Sequence, residues 1–184
     1  MSSRRFDRSF FAAPALEVAP ALLGHHLVRG NADGSTIRAR IVETEAYEPG
    51  DPASHAFRGA TPRNAAMFGP PGHAYVYLIY GLHHCLNVVT GRTGEGSAVL
   101  LRAAEPLGGL LGADVCRGPG RLGRAFAADR GLDGTDLVEG ADLWLERVSS
   151  ASAAAITAGP RVGITKGTER PWRFALAGDP WVSR

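Results

Sequence analysis

Glycine and proline recur along the whole chain and divide it into short segments. There are 24 glycines and 12 prolines among 184 residues, spread without an internal repeat or a low-complexity linker. Both residue types mark tight turns, so the sequence favours many short elements over long helices. We expect one domain spanning residues 1–184, because this length suits a single domain and can bury a hydrophobic core.

Most segments between the turns have the pattern of strands. Residues 36–47 alternate well enough for a strand, and two strand-like runs at 74–80 and 84–90 meet around Gly81 as a β-hairpin. Residues 14–28 suggest a short helix that ends at Gly24 and is followed by a strand, and residues 48–72 are loop-rich. Further strands are expected at 97–106, 142–148, 160–167 and 173–178, and a short helix at 121–130. The predicted fold is α+β, built on a mostly antiparallel sheet.

The composition excludes several classes of protein. Hydrophobic residues make up 45% of the chain and charged residues 21%, which is typical of a globular protein. No apolar run approaches the roughly 18 residues of a membrane-spanning helix. The first residues, MSSRRFDRSFF, lack the apolar run and cleavage pattern of a signal peptide. We therefore expect a cytoplasmic protein without membrane contact, associated with the nucleoid if its source is bacterial.

Cysteine and histidine are too sparse for a convincing metal site. Cys85 and Cys116 are the only cysteines, too few for a disulfide framework, a four-cysteine zinc site or an iron–sulfur cluster. His83 and His84 are adjacent and would point to opposite faces of a strand, and no ligand set with zinc-type spacing includes them. No metal is expected.

The basic residues are almost all arginine. Of 20 Lys+Arg residues only Lys166 is a lysine, and the net charge is +2. The planar fork of arginine suits phosphate and base-edge contacts, although the codon bias of a GC-rich genome explains the count equally well. Schiff-base chemistry needs a neutral amine, which only Lys166 and the N-terminus could supply.

Three side chains on the strand 36–47 could carry hydrolytic chemistry. A period of two places Glu43, Glu45 and Tyr47 on one face, with the two glutamates roughly 6.5 Å apart. A carboxylate there could activate water for attack on an acetal-like carbon. The alternative is a solvated polar face of an edge strand.

Three other features have both a functional and a purely structural interpretation. Tyr80 and Leu82 flank Gly81 where the chain reverses, and such apolar groups can unstack base pairs, unless Tyr80 packs back onto its own sheet. Arg102 lies in an apolar run, so an acidic partner such as Glu45 is expected, and a structural salt bridge is the simpler explanation. Residues 118–123 (GPGRLG) match G-x-G-x-x-G without a surrounding βαβ unit, so a phosphate-binding turn and a plain turn both stay open.

The order of these segments along the chain resembles the alkyladenine DNA glycosylase family, the 3-methyladenine DNA glycosylases of the non-helix-hairpin-helix type. The similarity runs from about Phe10 to Ser183. It rests on RIVETEAY, SHAFRGATPRNAAMFGPPGHAYVYLIYG, HCLNVV, AVLLRAAEPL and RVGI. The resemblance implies a single domain around a curved antiparallel sheet with a protruding β-hairpin, and it implies no cofactor.

The resemblance also implies a role for each matching residue. Glu45 would be the general base, holding the attacking water together with Arg102 and the main-chain carbonyl of Val162. The flipped base would be sandwiched between Tyr47 and His55, with Tyr77 closing the pocket. Asn87 would crowd the exocyclic amine of guanine. In the minor groove, the space left by the base would be filled by Tyr80, with Leu82 and His83 beside it.

The expected function is that of a monomeric, monofunctional glycosylase of base excision repair. It would flip alkylated or deaminated purines, of the 3-methyladenine, 7-methylguanine, hypoxanthine and ethenoadenine class, out of double-stranded DNA and hydrolyse the N-glycosidic bond. Two alternatives are a non-catalytic damaged-DNA binding protein and a hydrolase of free nucleosides. The intact Glu45 and Arg102 argue against the first, and the Tyr80 hairpin argues against the second.

Overall fold

The computed structural model describes residues 4–109, 115–149 and 155–183. Strands β1 to β9 of this part are Arg4–Arg5, His26–Gly30, Thr36–Tyr47, Ala74–Ile79, His83–Thr90, Ser97–Gly108, Leu143–Arg147, Ile156–Gly159 and Arg173–Leu176. Helices α1 to α3 are Arg8–Phe11, Ala15–Ala21 and Pro119–Ala125, and 3-10 helices span Ala65–Phe68 and Arg130–Leu132. Among these residues, no helix combines the length and apolar character that a membrane crossing requires.

The described strands form one curled antiparallel sheet in the order β1-β7-β2-β3-β6-β5-β4. Strand β3 is central: β6 pairs along one side of it, while β2 and then β9 pair along the other. Strand β8 adds to β9. The predicted α+β class and mostly antiparallel sheet are confirmed.

Apolar residues from both faces of this sheet divide into two cores. The main core packs α1, α2 and α3 against the sheet through large side chains such as Phe11, Leu22, Leu101 and Phe126. A second, smaller core consists of Met67, Tyr75, Val89 and Ala98. Aromatic side chains that are only partly buried pack against this second core, including Tyr47 and Tyr77. The second core therefore packs beneath the aromatic residues of β3 and β4 that line an open cavity.

Irregular pairing between β3 and β6 determines where Arg102 lies. The register shifts between Ile41 and Glu43 and again between Glu43 and Thr44, and Arg102 falls at the second shift because Glu43 pairs with Ala103 and Thr44 with Leu101. Such bulges redirect side chains locally. Here the bulge leaves the guanidinium of Arg102 beside the carboxylates of β3.

The structure corrects several sequence-based expectations. Residues 160–167 are not a strand; β8 ends at Gly159, and positive φ angles at Gly163 and Gly167 are incompatible with extended backbone. The helix expected at 121–130 is Pro119–Ala125 instead, because the chain turns at Ala127, which has a φ of 44°. The elements Arg4–Arg5 and Arg8–Phe11 were not predicted. The solvated edge-strand alternative for residues 43–47 is wrong, because β3 is central and both Glu43 and Glu45 are buried.

Candidate active site

A cavity of about 910 Å³ opens between the ends of β3 to β6, the loop that follows β3, and residues 162–166. Its lining includes all the residues for which the resemblance implies catalysis or base binding, together with the tip of the hairpin. These are Glu45, Tyr47, His55, Tyr77, Tyr80, Asn87, Arg102 and Val162. Leu82 and His83 are not part of this lining. In the described part of the chain, no group of three or more His, Cys, Asp or Glu side chains is placed to hold a metal ion.

Glu45 is a fully buried carboxylate with three donors. Its Oε1 accepts hydrogen bonds from the Arg102 guanidinium (3.2 Å) and the main-chain N–H of Val162 (2.8 Å), and its Oε2 accepts one from the Tyr47 hydroxyl (2.9 Å). These donors come from β6, from the segment after β8 and from β3 itself. The predicted pairing of Arg102 with Glu45 is confirmed. For Val162, the contact in the structure is through its N–H.

Burial raises the pKa of Glu45 above that of an exposed glutamate. The charge of Arg102 and the hydrogen bonds from Val162 and Tyr47 act in the opposite direction and limit the rise. A carboxylate with a raised pKa and fixed donors is a better base than a solvated one. Only the ionised carboxylate can accept a proton, so its capacity to act as a base falls as the pH decreases through this raised pKa.

Glu43 lies on the same face of β3 but has different surroundings. Its Oε1 accepts a hydrogen bond from Arg173 (3.1 Å) and lies 3.4 Å from Nε of Arg102, and its Oε2 accepts one from the main-chain N–H of Ser183 (2.8 Å). Among the described residues that line the cavity, Glu45 is present and Glu43 is not. Arg102 thus bridges two carboxylates, of which one faces the cavity.

One wall of the cavity is aromatic. The ring of His55 meets that of Tyr77 edge to face at 4.5 Å between centroids, and Tyr75 packs beside Tyr77 at 5.5 Å. The Tyr75 hydroxyl and Nδ1 of His55 are hydrogen-bonded at 2.8 Å, and burial lowers the pKa of His55, which keeps the ring neutral at neutral pH. A neutral ring set of this kind can stack on a planar base.

Two asparagines organise the rest of this wall. Asn87 on β5 is buried and donates from Nδ2 to the carbonyl of Tyr75 on β4 (2.9 Å), which fixes its amide at the cavity. Asn64 holds the loop that carries His55, donating to the carbonyl of His55 (2.9 Å) and accepting from the N–H of Thr61 (2.6 Å). Sequence reasoning missed Asn64 and Tyr75. For Tyr75, the alternation of tyrosines in YVYLIY placed it on the face of Tyr77 and could have found it.

The turn between β4 and β5 displays its apolar side chains to solvent. Ile79 pairs with His83, the N–H of Leu82 donates to the carbonyl of Ile79 (3.0 Å), and Tyr80 and Gly81 both have positive φ, 52° and 68°. The side chain of Tyr80 is 83% exposed and that of Leu82 is 74% exposed. The alternative that Tyr80 packs back onto its own sheet is therefore wrong. A tyrosine held in the left-handed region is strained, which suggests that its position serves contact with another molecule.

An arginine-rich cleft of about 540 Å³ lies beside the hairpin. Its described lining consists of His83 and residues 117–121 and 124, which include three arginines and no acidic residue. Pro119 lines both this cleft and the larger cavity. Helix α3 is packed directly on β5, because a Cβ atom at Gly123 would lie 2.0 Å from the carbonyl oxygen of His84. The cleft is thus held at a fixed position beside the cavity.

Comparison with known proteins gives a consistent result. The profile of the family described as Methylpurine-DNA glycosylase (MPG) matches residues 9–180. A relative from Anaeromyxobacter dehalogenans, named "Putative 3-methyladenine DNA glycosylase", is 55% identical over 98% of this chain and 86% of its own length. Relatives with the same name from Streptomyces avermitilis and Synechococcus elongatus are 48% and 51% identical, over 96% and 93% of this chain and 89% and 87% of theirs. The chain belongs to the methylpurine-DNA glycosylase family.

Proposed function

We propose that this protein releases alkylated or deaminated purines from double-stranded DNA as a monomeric, monofunctional glycosylase of base excision repair. The observation that carries the proposal is the buried Glu45, held by Arg102, Val162 and Tyr47 at a cavity with an aromatic wall. The cavity volume is ample for one purine and a water molecule. Hydrolysis of a base inside a duplex requires such a pocket, because the base must leave the stack before its sugar can be attacked.

Glu45 would activate the water. The carboxylate accepts a proton from a water molecule whose oxygen forms a bond to C1′ of the sugar, while the N-glycosidic bond breaks and its electron pair leaves with the base. Its negative charge also stabilises the positive charge that develops on the sugar. In the proposed site, Arg102 keeps Glu45 ionised and the carbonyl of Val162 helps to hold the water. A purine that carries a positive charge leaves as a neutral base and needs no acid.

The aromatic wall and Asn87 would select the base. Tyr47 and His55 are expected to stack on opposite faces of the flipped purine, which contributes about 1–3 kcal/mol per base, and Tyr77 closes the pocket. The buried amide of Asn87 would crowd the exocyclic amine of guanine. Methylated purines, hypoxanthine and ethenoadenine lack that amine or already have a weakened glycosidic bond, so they are the proposed substrates.

The exposed hairpin and the arginine-rich cleft support a duplex substrate. Extruding a base costs a few kcal/mol, and Tyr80 with Leu82 and His83 would offset that cost by filling the space in the stack. Arginines next to the cavity suit the phosphates of the same strand. A hydrolase of free nucleosides would require neither feature.

A panel of short duplexes tests the function directly. Each duplex carries one 3-methyladenine, 7-methylguanine, hypoxanthine or 1,N6-ethenoadenine, and base release is measured in single turnover with enzyme in excess. We expect release from at least the methylated purines. Tight lesion binding without release would identify a damaged-DNA binding protein, and faster hydrolysis of the free nucleoside than of the duplex would identify a nucleoside hydrolase.

Tyr80→Ala should slow release from a paired lesion by about tenfold or more, because the emptied stack is no longer filled. The loss should be smaller when the lesion lies in a mismatch or a single strand, where unstacking costs less. Tyr80→Gly is the matched control, because glycine accepts the positive φ without strain. Its free energy of unfolding should equal that of the wild type or exceed it by up to about 1 kcal/mol, while base release still falls. An equal loss on every substrate would place Tyr80 in the chemistry or the core instead.

The product should be an abasic site in an intact strand. A strand-cutting lyase needs an amine that attacks C1′ and forms an imine. Lys166 lines the cavity but is exposed, in a turn between Gly163 and Gly167, both of which have positive φ. Borohydride added during the reaction should therefore trap no covalent enzyme–DNA adduct. An adduct that is lost in Lys166→Ala would overturn the monofunctional mechanism.

A further inference from the structure

The segment that carries Val162 is anchored to the protein at one buried residue. Residues 160–166 are otherwise exposed or half-buried, and Arg161 is the exception: its side chain is fully buried. Its guanidinium donates twice to Asp51, with Nη2 to Oδ1 at 2.9 Å and Nη1 to Oδ2, and Nη1 also donates to the carbonyl of Ala46 (3.0 Å). Asp51 is also fully buried.

The same guanidinium reaches two of the three donors of Glu45. Val162 follows Arg161 directly in the chain, so the fixed side chain of Arg161 fixes the peptide N–H that lies 2.8 Å from Oε1 of Glu45. The guanidinium also lies over the ring of Tyr47, 4.6 Å from its centroid, and the hydroxyl of that ring donates to Oε2 of Glu45. The third donor, Arg102, comes from β6 and pairs with Glu43 and Glu45 instead.

We propose that the buried Asp51–Arg161 ion pair is a positioning device for Glu45, holding the Val162 N–H and the Tyr47 hydroxyl on the carboxylate and orienting the Tyr47 ring in the base pocket. Neither residue lines the cavity among the described residues, so both act through others. The inference rests on the proposed function. It assigns a catalytic consequence to two residues that lie 110 positions apart in the sequence.

Asp51→Asn tests the proposal, because the amide keeps the shape of the side chain but loses the bidentate charged contact. We expect single-turnover base release to fall by roughly 10- to 100-fold, the scale of a small misplacement of reacting groups, while affinity for the lesion duplex changes much less. Asp136→Asn is the matched control. Asp136 pairs with Arg8 at 2.6 Å, and neither residue lines the cavity.

The pH profile separates positioning from electrostatics. The charged and titratable groups around Glu45 are Glu43 and Tyr47 on β3, Cys85 on β5, Arg102 on β6, and Arg161. Removing the negative charge of Asp51 alone would favour the ionised Glu45 and move the acid limb to lower pH. Displacing the Val162 N–H and the Tyr47 hydroxyl from Glu45 disfavours its ionised form. A positioning role therefore predicts that the acid limb of the pH profile of release moves to higher pH.

Arg161→Lys provides a second variant that keeps the charge but cannot bridge Asp51 and Ala46 in the same way. Slower release with an upward shift of the acid limb in either folded variant supports the proposal. Release at the wild-type rate, or an acid limb that is unchanged or moves to lower pH, overturns the proposal. Failure of both variants to fold would make the pair a requirement for folding alone and would also overturn it. No release by the wild-type protein would instead refute the proposed function, and the inference with it.

Discussion

Glu45→Gln is expected to bind a lesion duplex with near wild-type affinity and to release the base at least about 100-fold more slowly. The amide keeps the shape of the side chain and can still accept hydrogen bonds, but it cannot take a proton from water, and general bases contribute roughly 10²–10⁴-fold. Single-turnover release and a binding titration on the same duplex measure both quantities. The wild-type rate should also fall towards acidic pH, since burial raises the pKa of the carboxylate that must be ionised.

Glu43→Gln is the matched control for this prediction. Glu43 lies two residues away on the same face of β3 and is equally buried, but its oxygens contact Arg173, Arg102 and the N–H of Ser183. We expect it to retain release within several-fold of wild type. Near-wild-type release by Glu45→Gln together with an inactive Glu43→Gln would move the catalytic assignment to Glu43.

Arg102→Met should have the largest effect on stability, lowering the free energy of unfolding by about 3–5 kcal/mol. The substitution keeps much of the apolar stem but leaves Glu45 buried without its cation, whose guanidinium is 3.2 Å away in the wild type. Because Arg102 lowers the pKa of Glu45, its removal raises that pKa further and leaves less carboxylate at neutral pH. Release at neutral pH should fall by about tenfold or more and recover in part at higher pH.

Arg173→Met provides the comparison for Arg102. Arg173 also contacts a buried carboxylate, Glu43 at 3.1 Å, but it is partly exposed and Glu43 keeps its contact with Arg102. Solvent screening should limit its effect to about 1 kcal/mol, with an unchanged acid limb of the release profile. Chemical denaturation and the pH profile of release check both variants. Equal destabilisation by the two substitutions would show that the Arg102–Glu45 ion pair contributes no more to stability than a solvent-screened pair.

Much of the fold could be predicted because short-range rules decide it. The strand at residues 36–47 is observed with those same bounds, since its alternation of side chains reflects the period of an extended backbone. The chain reversal predicted at Gly81 is observed, with a φ of 68° at that glycine, but the exposure of Tyr80 at its tip was left open by the sequence. The expectation that Arg102 needs an acidic partner followed from the cost of burying a charge alone, and Glu45 is that partner.

The sequence-based predictions are wrong or missing where contacts with distant residues override the local sequence pattern. Residues 160–167 alternate like a strand, but Arg161 turns inward to Asp51 and the chain leaves the sheet. Asp51 itself gave no signal, because a lone aspartate in a proline- and glycine-rich loop is ordinarily a turn residue. The pairing of the two could be found only from the folded chain.

The sequence by itself determined the α+β class, the shared face of Glu43 and Glu45, the chain reversal at Gly81, and, through the resemblance, a family that the comparison with known proteins then confirmed. Only the tertiary structure decided which carboxylate faces the cavity and what holds it there. The two glutamates share a face of β3, and apart from the neighbouring Tyr47 hydroxyl on Glu45 they differ in partners from distant segments, Val162 for Glu45, and Arg173 and Ser183 for Glu43. Backbone periodicity is a property of neighbouring residues, whereas those hydrogen bonds depend on where the sheet brings distant parts of the chain together.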